Sequence, residues 1–208
     1  MSPRHTPYWP SFHGSKTAKQ DKNSPLASSA QLGLSHEEKQ AEALRYIAHY
    51  PTEIVNKIKS KLSEQSLHQH LLTKYPEAHK FNSNKLLRSY TNEIKAKYMR
   101  SSERLNKICF DDKLHLVHHA LGTQSFISLA HGGRLKARRE LRVSSLFKQC
   151  PEPLLRMIVV HELAHLKEKD HNQAFYRLCV HMEPNYHQLE FDARLYLIQQ
   201  ELFGPLYG

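Results

Sequence analysis

Residues 159–171 read VVHELAHLKEKDH, in which two histidines flank a glutamate at a spacing of four and a third histidine follows six residues later. The apolar residues around the motif cover nearly every face of a helix that starts after Pro151, which is typical of a helix buried on all sides. Polar side chains inside such a helix need a partner, and a metal ion can provide one. This stretch therefore predicts a buried helix that carries a metal site.

The spacing of the motif also indicates a chemistry. His161 and His165 lie one helical turn apart, so both imidazoles can reach one cation. A catalytic zinc ion usually has three protein ligands and one open position, and His171 is the predicted third ligand because the chain can turn back after a helix end near Lys169. Glu162 projects beside the cation and is predicted to take a proton from the attacking water. A chance match to HExxH is expected only about 0.09 times in a chain of this composition.

Residues further along the chain are alternatives or additions to this site. A glutamate from a second helix is the other common third ligand, which leaves Glu183 and Glu190 as alternatives to His171. Tyr186 is a candidate donor to the oxyanion of a tetrahedral intermediate. Glu190 and Asp192 are candidates for orienting the outer nitrogen of a histidine ligand. The weaker alternatives as ligands are His181 and His187.

Composition divides the chain of 208 residues into a tail and one domain. Residues 1–34 mix Pro, Ser, Gly, Lys and Asn without helical or alternating periodicity, so we expect a flexible polar N-terminal tail. Residues 35–208 are long enough for a single core. No apolar run approaches the ~18 residues of a membrane span, and no signal peptide is recognisable, so we expect a cytoplasmic protein. Three cysteines without a CxxC pair indicate reduced thiols rather than a disulfide framework.

Periodicity predicts an α+β fold. Ser35 with Glu38 has the pattern of a capping box at the start of a first helix, which Pro51 ends, and further helices are predicted from Thr52 and over 84–100. A small antiparallel sheet of three or four strands is predicted next, with a hairpin at the glycine pair 132–133 and Leu141 and Val143 on its buried face. After the buried helix, two C-terminal helices are predicted at about 172–182 and 186–202.

The stretch CPEPLLRMIVVHELAHLKEKDHNQAFYRLCVHMEPNYHQLEFDARLYL, residues 150–197, resembles the YgjP-like group of metal-dependent hydrolases, metallopeptidase domains related in motif to the SprT-like zincins. The resemblance extends back to about His36, so it implies a YgjP-like metallopeptidase domain over 35–208 with a zincin-like fold. It implies one Zn²⁺ ion on His161, His165 and His171, with Glu162 as the base. The expected function is that of a zinc metallopeptidase acting on a peptide or protein substrate.

Positive charge suggests a second class of function. The chain has a formal net charge of +10, and residues 84–148 hold 14 lysines and arginines against 5 acidic residues. Such a surface can bind a phosphate backbone without reading sequence. The alternative is therefore a nucleic-acid-associated binding protein with a basic sheet and a structural zinc site, closed by a fourth ligand such as Glu190. The basic residues that carry this alternative on the sheet are Arg134, Lys136, Arg138, Arg139 and Arg142.

Overall fold

The computed structural model describes residues 35–112, 114, 122–131 and 134–207; for residues 122–131 and 134–138 it describes the backbone alone. Within these ranges seven α-helices and three β-strands form, which confirms the predicted α+β class. The predicted tail, residues 1–34, lies outside the described residues. None of the described helices is both long enough and apolar enough to cross a membrane. The elements are α1 (His36–Ala43), a 3₁₀ helix (Leu44–Ile47), α2 (Thr52–Ser63), α3 (Leu67–Lys74), α4 (Asn84–Tyr98), β1 (Lys107–Asp111), β2 (Gly122–His131), β3 (Arg134–Ser144), a 3₁₀ helix (Ser145–Gln149), α5 (Glu152–Ala164), α6 (Gln173–Met182) and α7 (Tyr186–Phe203).

The first helix begins where the capping pattern predicts. The main-chain N–H of Ser35 donates to Glu38 Oε2 at 2.8 Å, and the N–H of Glu38 donates to Ser35 Oγ at 3.2 Å. Pro51 lies directly before α2, so the chain changes direction there as expected. The helices predicted from Thr52 and over 84–100 are confirmed as α2 and α4.

Helix α3 is missing from the prediction. Its buried residues are Leu67 and Leu71, and two leucines one turn apart are too few to establish a helical period. The helix is held by a tertiary contact instead. Lys74 Nζ lies 2.5 Å from Asp192 Oδ2 of α7, and the Tyr75 hydroxyl donates to the same carboxylate oxygen at 2.6 Å. A short helix of this kind depends on packing rather than on local propensity.

The sheet is mixed, with the strand order β1-β3-β2. The β1 and β3 strands pair in parallel, with Ile108 opposite Leu141, so the prediction of an antiparallel sheet is wrong for this pair. The predicted hairpin is confirmed, because β2 and β3 pair antiparallel; its turn, 132–133, lies outside the described residues. The chain reverses direction twice between β1 and β3, so these two strands run in the same direction. They are also neighbours in the sheet, and their pairing is therefore parallel. A meander with β2 in the middle would have been antiparallel throughout.

The predicted alternation of side chains along β3 is confirmed. Leu141 and Val143 are fully buried in the core. On the other face Arg142 contacts two carboxylates: its Nη2 lies 2.7 Å from Glu140 Oε2 and its Nη1 lies 2.7 Å from Asp111 Oδ2. The sheet therefore places an apolar face against the core and a charged face on its other side.

Helix α5 is buried as predicted, and nine of its residues, Glu162 among them, are inaccessible or nearly so. Its predicted end near Lys169 is wrong, because the helix ends at Ala164 with His165 as its C-cap. The next turn is tighter than an α-helix, since the N–H of Lys167 donates to the carbonyl of Ala164 at 3.0 Å. The His165 ring contributes to this turn by bonding the carbonyl oxygen of Glu168.

The two C-terminal helices are confirmed as α6 and α7, within a residue of their predicted bounds. Asn172 caps α6 by accepting a hydrogen bond from the N–H of Phe175 at 2.9 Å. The three cysteines, Cys109, Cys150 and Cys179, are free and buried, in agreement with the predicted absence of a disulfide framework.

His79 ties the segment before α4 to the second 3₁₀ helix. Its Nδ1 accepts a hydrogen bond from the N–H of Phe81 at 3.0 Å, so the ring hydrogen is on Nε2, which donates to the carbonyl of Phe147 at 2.8 Å. Burial lowers the pKa of His79 below its ordinary value of 6.5. The neutral ring therefore stabilises the fold above pH 6.5, and this contribution is lost as the pH falls through the lowered pKa.

We expect His79→Leu to lower the free energy of unfolding at pH 7.5 by about 1–3 kcal/mol, because it leaves a buried N–H and a buried carbonyl without partners. The difference in free energy of unfolding between variant and wild type should shrink as the pH falls to 5. Protonation of His79 weakens its hydrogen bonds in the wild type, whereas leucine does not titrate. Urea unfolding at the two pH values measures both effects. The exposed His68→Leu serves as the control, and an equal cost in this variant would contradict the assignment.

Candidate metal centre

Three histidines converge at the C-terminal end of α5. His161 lies in the last turn of the helix, His165 is its C-cap, and His171 comes from the loop that leads to α6. Each offers a ring nitrogen, and these nitrogens all lie within 4.8 Å of one another. The Nε2 atoms of His161 and His171 are 3.1 Å apart. The structure therefore brings together the three residues that the sequence predicts as ligands.

The ring nitrogens that face away from the cluster are oriented by oxygen atoms. His161 Nδ1 lies 2.6 Å from the Tyr186 hydroxyl, and His165 Nδ1 lies 2.9 Å from the carbonyl oxygen of Glu168. This arrangement resembles that of metal-ligating histidines, whose outer N–H is usually fixed by an oxygen acceptor. It leaves the inner nitrogens free to hold a cation.

The donor set fits a zinc ion. Zinc–nitrogen bonds of ~2.1 Å at tetrahedral angles place two ligand nitrogens about 3.4 Å apart, close to the spacing of the His161 and His171 nitrogens. Burial lowers the pKa of His161 well below its ordinary value, and His165 and His171 act in the same direction. Burial likewise lowers the pKa of His165 and of His171. The rings are therefore neutral at physiological pH, which is the form that binds a metal.

One aromatic ring packs against the whole cluster. The centroid of the Phe175 ring lies 4.9 Å from that of His161, 4.6 Å from that of His165 and 4.7 Å from that of His171. The Asn172 cap fixes the start of α6 and so the position of this ring. The Asn-x-x-Phe pattern that follows the third histidine thus has a physical role as the apolar support of the imidazoles.

Glu162 is the buried carboxyl group of the motif. It is 2 % exposed, and its Oε2 has no hydrogen-bond partner among the described residues. Burial raises the pKa of Glu162 to about 8. A carboxyl group with a pKa near neutrality can both accept and release a proton, as a general base requires.

The alternative third ligands are engaged elsewhere. Glu183 pairs with Arg156 at 2.7 Å, and Glu190 pairs with Arg194 at 2.7 Å. Asp192 bonds Lys74, Tyr75 and Gln188, so it does not orient a histidine of the cluster. Within the described part of the chain, the group that could hold a metal consists of three histidines: His161, His165 and His171.

Tyr186 occupies a different place from the one expected of an oxyanion donor. It is fully buried, and its hydroxyl contacts the outer nitrogen of His161 rather than the inner face of the cluster. The orienting groups of His161 and His165 were both missed by the sequence argument. The Glu168 carbonyl belongs to the backbone and leaves no sequence signal, whereas Tyr186 was named from the sequence only as an oxyanion donor and not as the partner of His161; it begins α7, the second helix after the motif.

Two of the five basic residues singled out on the sheet have described side chains, and both are paired. Arg139 contacts Glu103, and Arg142 contacts Glu140 and Asp111. Their charges are therefore partly neutralised inside the molecule. The side chains of the other three residues lie outside the described part of the chain.

Three convergent histidine nitrogens beside a buried glutamate of a core helix are the arrangement expected of a metal-dependent hydrolase. Comparison with known proteins gives the family. The family model described as "YgjP-like, metallopeptidase domain" matches residues 129–192. The chain is also 48 % identical over 159 residues to the UTP pyrophosphatase of Escherichia coli (strain K12), in an alignment that covers 76 % of this chain and 95 % of that protein. The chain belongs to the YgjP-like family. No solved structure matches it.

Proposed function

We propose that this protein is a metal-dependent pyrophosphohydrolase that converts a nucleoside triphosphate, with UTP as the leading substrate, into the monophosphate and pyrophosphate. The observation that carries the hydrolytic part is the buried Glu162, which follows His161 in the last turn of α5 and so lies beside the three convergent histidines. The substrate class is suggested by the name of the relative, a UTP pyrophosphatase that is 48 % identical to this chain.

The residues of the chain have distinct roles in this reaction. His161, His165 and His171 would hold one zinc ion, which when bound lowers the pKa of water and offsets negative charge on the substrate oxygens. Glu162 accepts a proton from the attacking water, whose oxygen joins the α-phosphorus as the bond to the bridging oxygen breaks. Pyrophosphate leaves with the bridging oxygen. The proton held by Glu162 is then released to the leaving group or to solvent.

The charge of the chain as a whole favours a phosphorylated substrate. The loop that joins His165 to His171 does not add to this charge, because its exposed Lys167 and Lys169 are balanced by Glu168 and Asp170. The chain as a whole carries a formal net charge of +10. A positive surface of this kind raises the local concentration of an anionic substrate and speeds its association.

The test is product analysis with zinc-loaded protein and UTP in water enriched in ¹⁸O. We expect UMP and pyrophosphate in equal amounts, with the heavy oxygen in UMP, because attack is at the α-phosphorus. Treatment with a chelator should abolish turnover, and addition of zinc should restore it. Label in pyrophosphate would place the attack at the β-phosphorus. Failure to release pyrophosphate from any nucleoside triphosphate would refute the proposal.

Peptide-bond hydrolysis is a second candidate, because the HExxH pattern and the family description both point to metallopeptidases. Glu162 would again take the proton from water and then give it to the leaving amine. β3 has no open edge to which an extended peptide could add, since it is the central strand of the sheet and a 3₁₀ helix follows it. Cleavage of casein or a peptide library at a rate above that of UTP would favour this candidate.

Binding of nucleic acid through the basic region 84–148 stays a prediction. The ion pairs of Arg139 and Arg142 count against these two side chains as phosphate contacts. A structural zinc closed by Glu190 is likewise disfavoured by the Arg194 ion pair. The zincin-like fold, the single zinc ion and the cytoplasmic location also stay predictions.

A further inference from the structure

Two aromatic rings, one from α6 and one from α7, continue outward from the metal centre. The centroid of the Tyr176 ring lies 6.4 Å from that of His171 and 5.5 Å from that of His187. The His187 ring in turn lies 5.4 Å from that of Tyr186, whose hydroxyl faces His161. Tyr176 and His187 are both half-buried, so part of each side chain is open to solvent. A ligand held at the histidine cluster can therefore extend onto an aromatic surface.

A partly exposed ion pair lies on the same face of α7 as His187. Glu190 and Arg194 follow His187 by three and seven residues, which is the spacing of one helix face. Arg194 Nη2 donates to Glu190 Oε1 at 2.7 Å, and Arg194 Nη1 donates to the carbonyl of Tyr46 at 3.1 Å. The guanidinium thus fixes the carboxylate through one oxygen, and a carboxylate can accept further hydrogen bonds at its other oxygen, Oε2.

The Glu190 carboxylate is close enough to both rings to act on them electrostatically. Burial raises the pKa of Tyr176 to about 12, and the charge of Glu190 acts in the same direction. Burial lowers the pKa of His187, and the charge of Glu190 opposes that shift. An aromatic surface and a hydrogen-bond acceptor therefore lie together beside the metal centre.

A heterocyclic base with an N–H group in its ring complements this surface. Bases stack on aromatic side chains because both have flat π faces. Uracil has a donor, N3–H, on its edge, whereas cytosine has a lone pair at N3. A carboxylate accepts a hydrogen bond from the first and repels the second. A site that hydrogen-bonds its substrate in this way rejects the analogue that lacks the donor.

We propose that Tyr176 and Glu190 form the subsite for the base of a uridine nucleotide: the base stacks on the Tyr176 ring, and its N3–H donates to Glu190 Oε2. The His187 ring packs against the tyrosine and Arg194 holds the carboxylate, so both groups are fixed before the nucleotide binds. The inference rests on the proposed function, because it takes the phosphates of the nucleotide to be held at the histidine cluster. It adds the residues that select the base.

The first test compares UTP with CTP by measuring pyrophosphate release from zinc-loaded protein over a range of nucleotide concentrations. We expect the wild type to have the higher kcat/KM for UTP. Glu190→Gln should lower the ratio of the two kcat/KM values about 10- to 100-fold, because the charged hydrogen bond to uracil is lost and the amide can donate to cytosine N3. The loss of a negative charge near the phosphates affects both nucleotides alike and cancels in the ratio.

The second test removes the stacking surface. We expect Tyr176→Leu to raise KM for UTP and for CTP about 10-fold, with kcat nearly unchanged, because the ring contacts the base and not the scissile bond. Tyr176→Phe keeps the ring and should keep a KM close to that of the wild type. Tyr98→Leu is the matched control, because Tyr98 is another half-buried tyrosine that packs on a histidine, with its centroid 5.6 Å from that of His181. It should leave KM unchanged.

The outcomes separate this inference from the proposed function. Equal kcat/KM for UTP and CTP in the wild type, or an unchanged ratio in Glu190→Gln, would overturn the inference and leave the pyrophosphohydrolase proposal intact. Equal rises of KM in Tyr176→Leu and Tyr98→Leu would reduce Tyr176 to a structural residue and would also overturn it. A wild type that releases no pyrophosphate from any nucleoside triphosphate would refute the proposed function, and the base subsite with it.

Discussion

Glu162→Gln should lower the rate of UTP hydrolysis by about 10²- to 10⁴-fold while zinc binding is retained, because the amide cannot accept the proton of the attacking water. The change is nearly isosteric, and Glu162 is not one of the three groups that could hold the metal. Steady-state release of pyrophosphate and metal content of the same preparation are the measurements. Full activity in the variant with zinc bound would exclude Glu162 as the base.

The same variant should change the pH dependence of stability in the metal-free protein. Burial raises the pKa of Glu162 from 4.5 to about 8, so folding favours its protonated form. The contribution of this carboxyl group to stability is therefore full below pH 4.5 and is lost as the pH rises toward 8. At ~1.4 kcal/mol for each pKa unit, the loss amounts to a few kcal/mol. Glutamine does not ionise, so this loss should be absent from the variant.

Urea unfolding in the presence of a chelator, at pH 5 and pH 8.5, measures this effect. The stability of the wild type minus that of Glu162→Gln should fall by a few kcal/mol between the two pH values. The histidines of the cluster have lowered pKa values and lose their contribution in acid instead, but they are common to both proteins and cancel in the difference. A difference that is independent of pH would contradict a buried, protonated Glu162.

His171→Ala should weaken zinc binding about 10²-fold. Zinc-finger peptides bind zinc through four protein ligands with apparent free energies of about 10–16 kcal/mol, which is ~3 kcal/mol for each ligand. Activity should fall with zinc binding at limiting zinc. His171 is the one of the three histidines that lies on a loop, so its removal leaves α5 intact. Metal analysis after dialysis at known free zinc concentrations gives the affinity.

Two companion variants identify the third ligand. His181→Ala removes an exposed histidine of α6 and should leave zinc affinity unchanged. Glu190→Gln tests the alternative ligand while keeping a polar partner for the partly buried Arg194, and it too should bind zinc like the wild type. If Glu190→Gln lost the metal and His171→Ala kept it, Glu190 would replace His171 in the site.

Local rules were sufficient for the parts of the fold that depend on nearby residues. The Ser35 capping box and the apolar character of α5 are properties of short stretches, so the sequence could predict them. The position of β3 between β1 and β2 could not be predicted in this way, because strand order depends on which elements meet in space. Helix α3 depends in the same way on a distant aspartate, Asp192.

The same distinction between local and tertiary information applies to the residues of the candidate site. The spacing of His161 and His165 is fixed by one turn of helix, so these two could be paired from the sequence. His171 was predicted from the sequence as the third ligand, with Glu183 and Glu190 left as alternatives; the ion pairs of these glutamates with Arg156 and Arg194 in the structure disfavour them. The Glu190–Arg194 pair has i,i+4 spacing on α7 and could have been expected from the sequence. The Glu183–Arg156 pair joins the end of α6 to α5, and no local spacing indicates it.

The contact of Phe175 with all three imidazoles has a consequence for how the centre arises. The ring belongs to α6, so the histidines acquire their common wall only after this helix has docked onto the rest of the domain. A synthetic peptide spanning 151–171 would contain the three predicted histidine ligands and the base. It would lack Phe175, and so nothing would fix the positions of the three imidazole rings relative to one another. We therefore expect tight metal binding to require the folded domain, and the HExxH motif, 161–165, to be insufficient by itself.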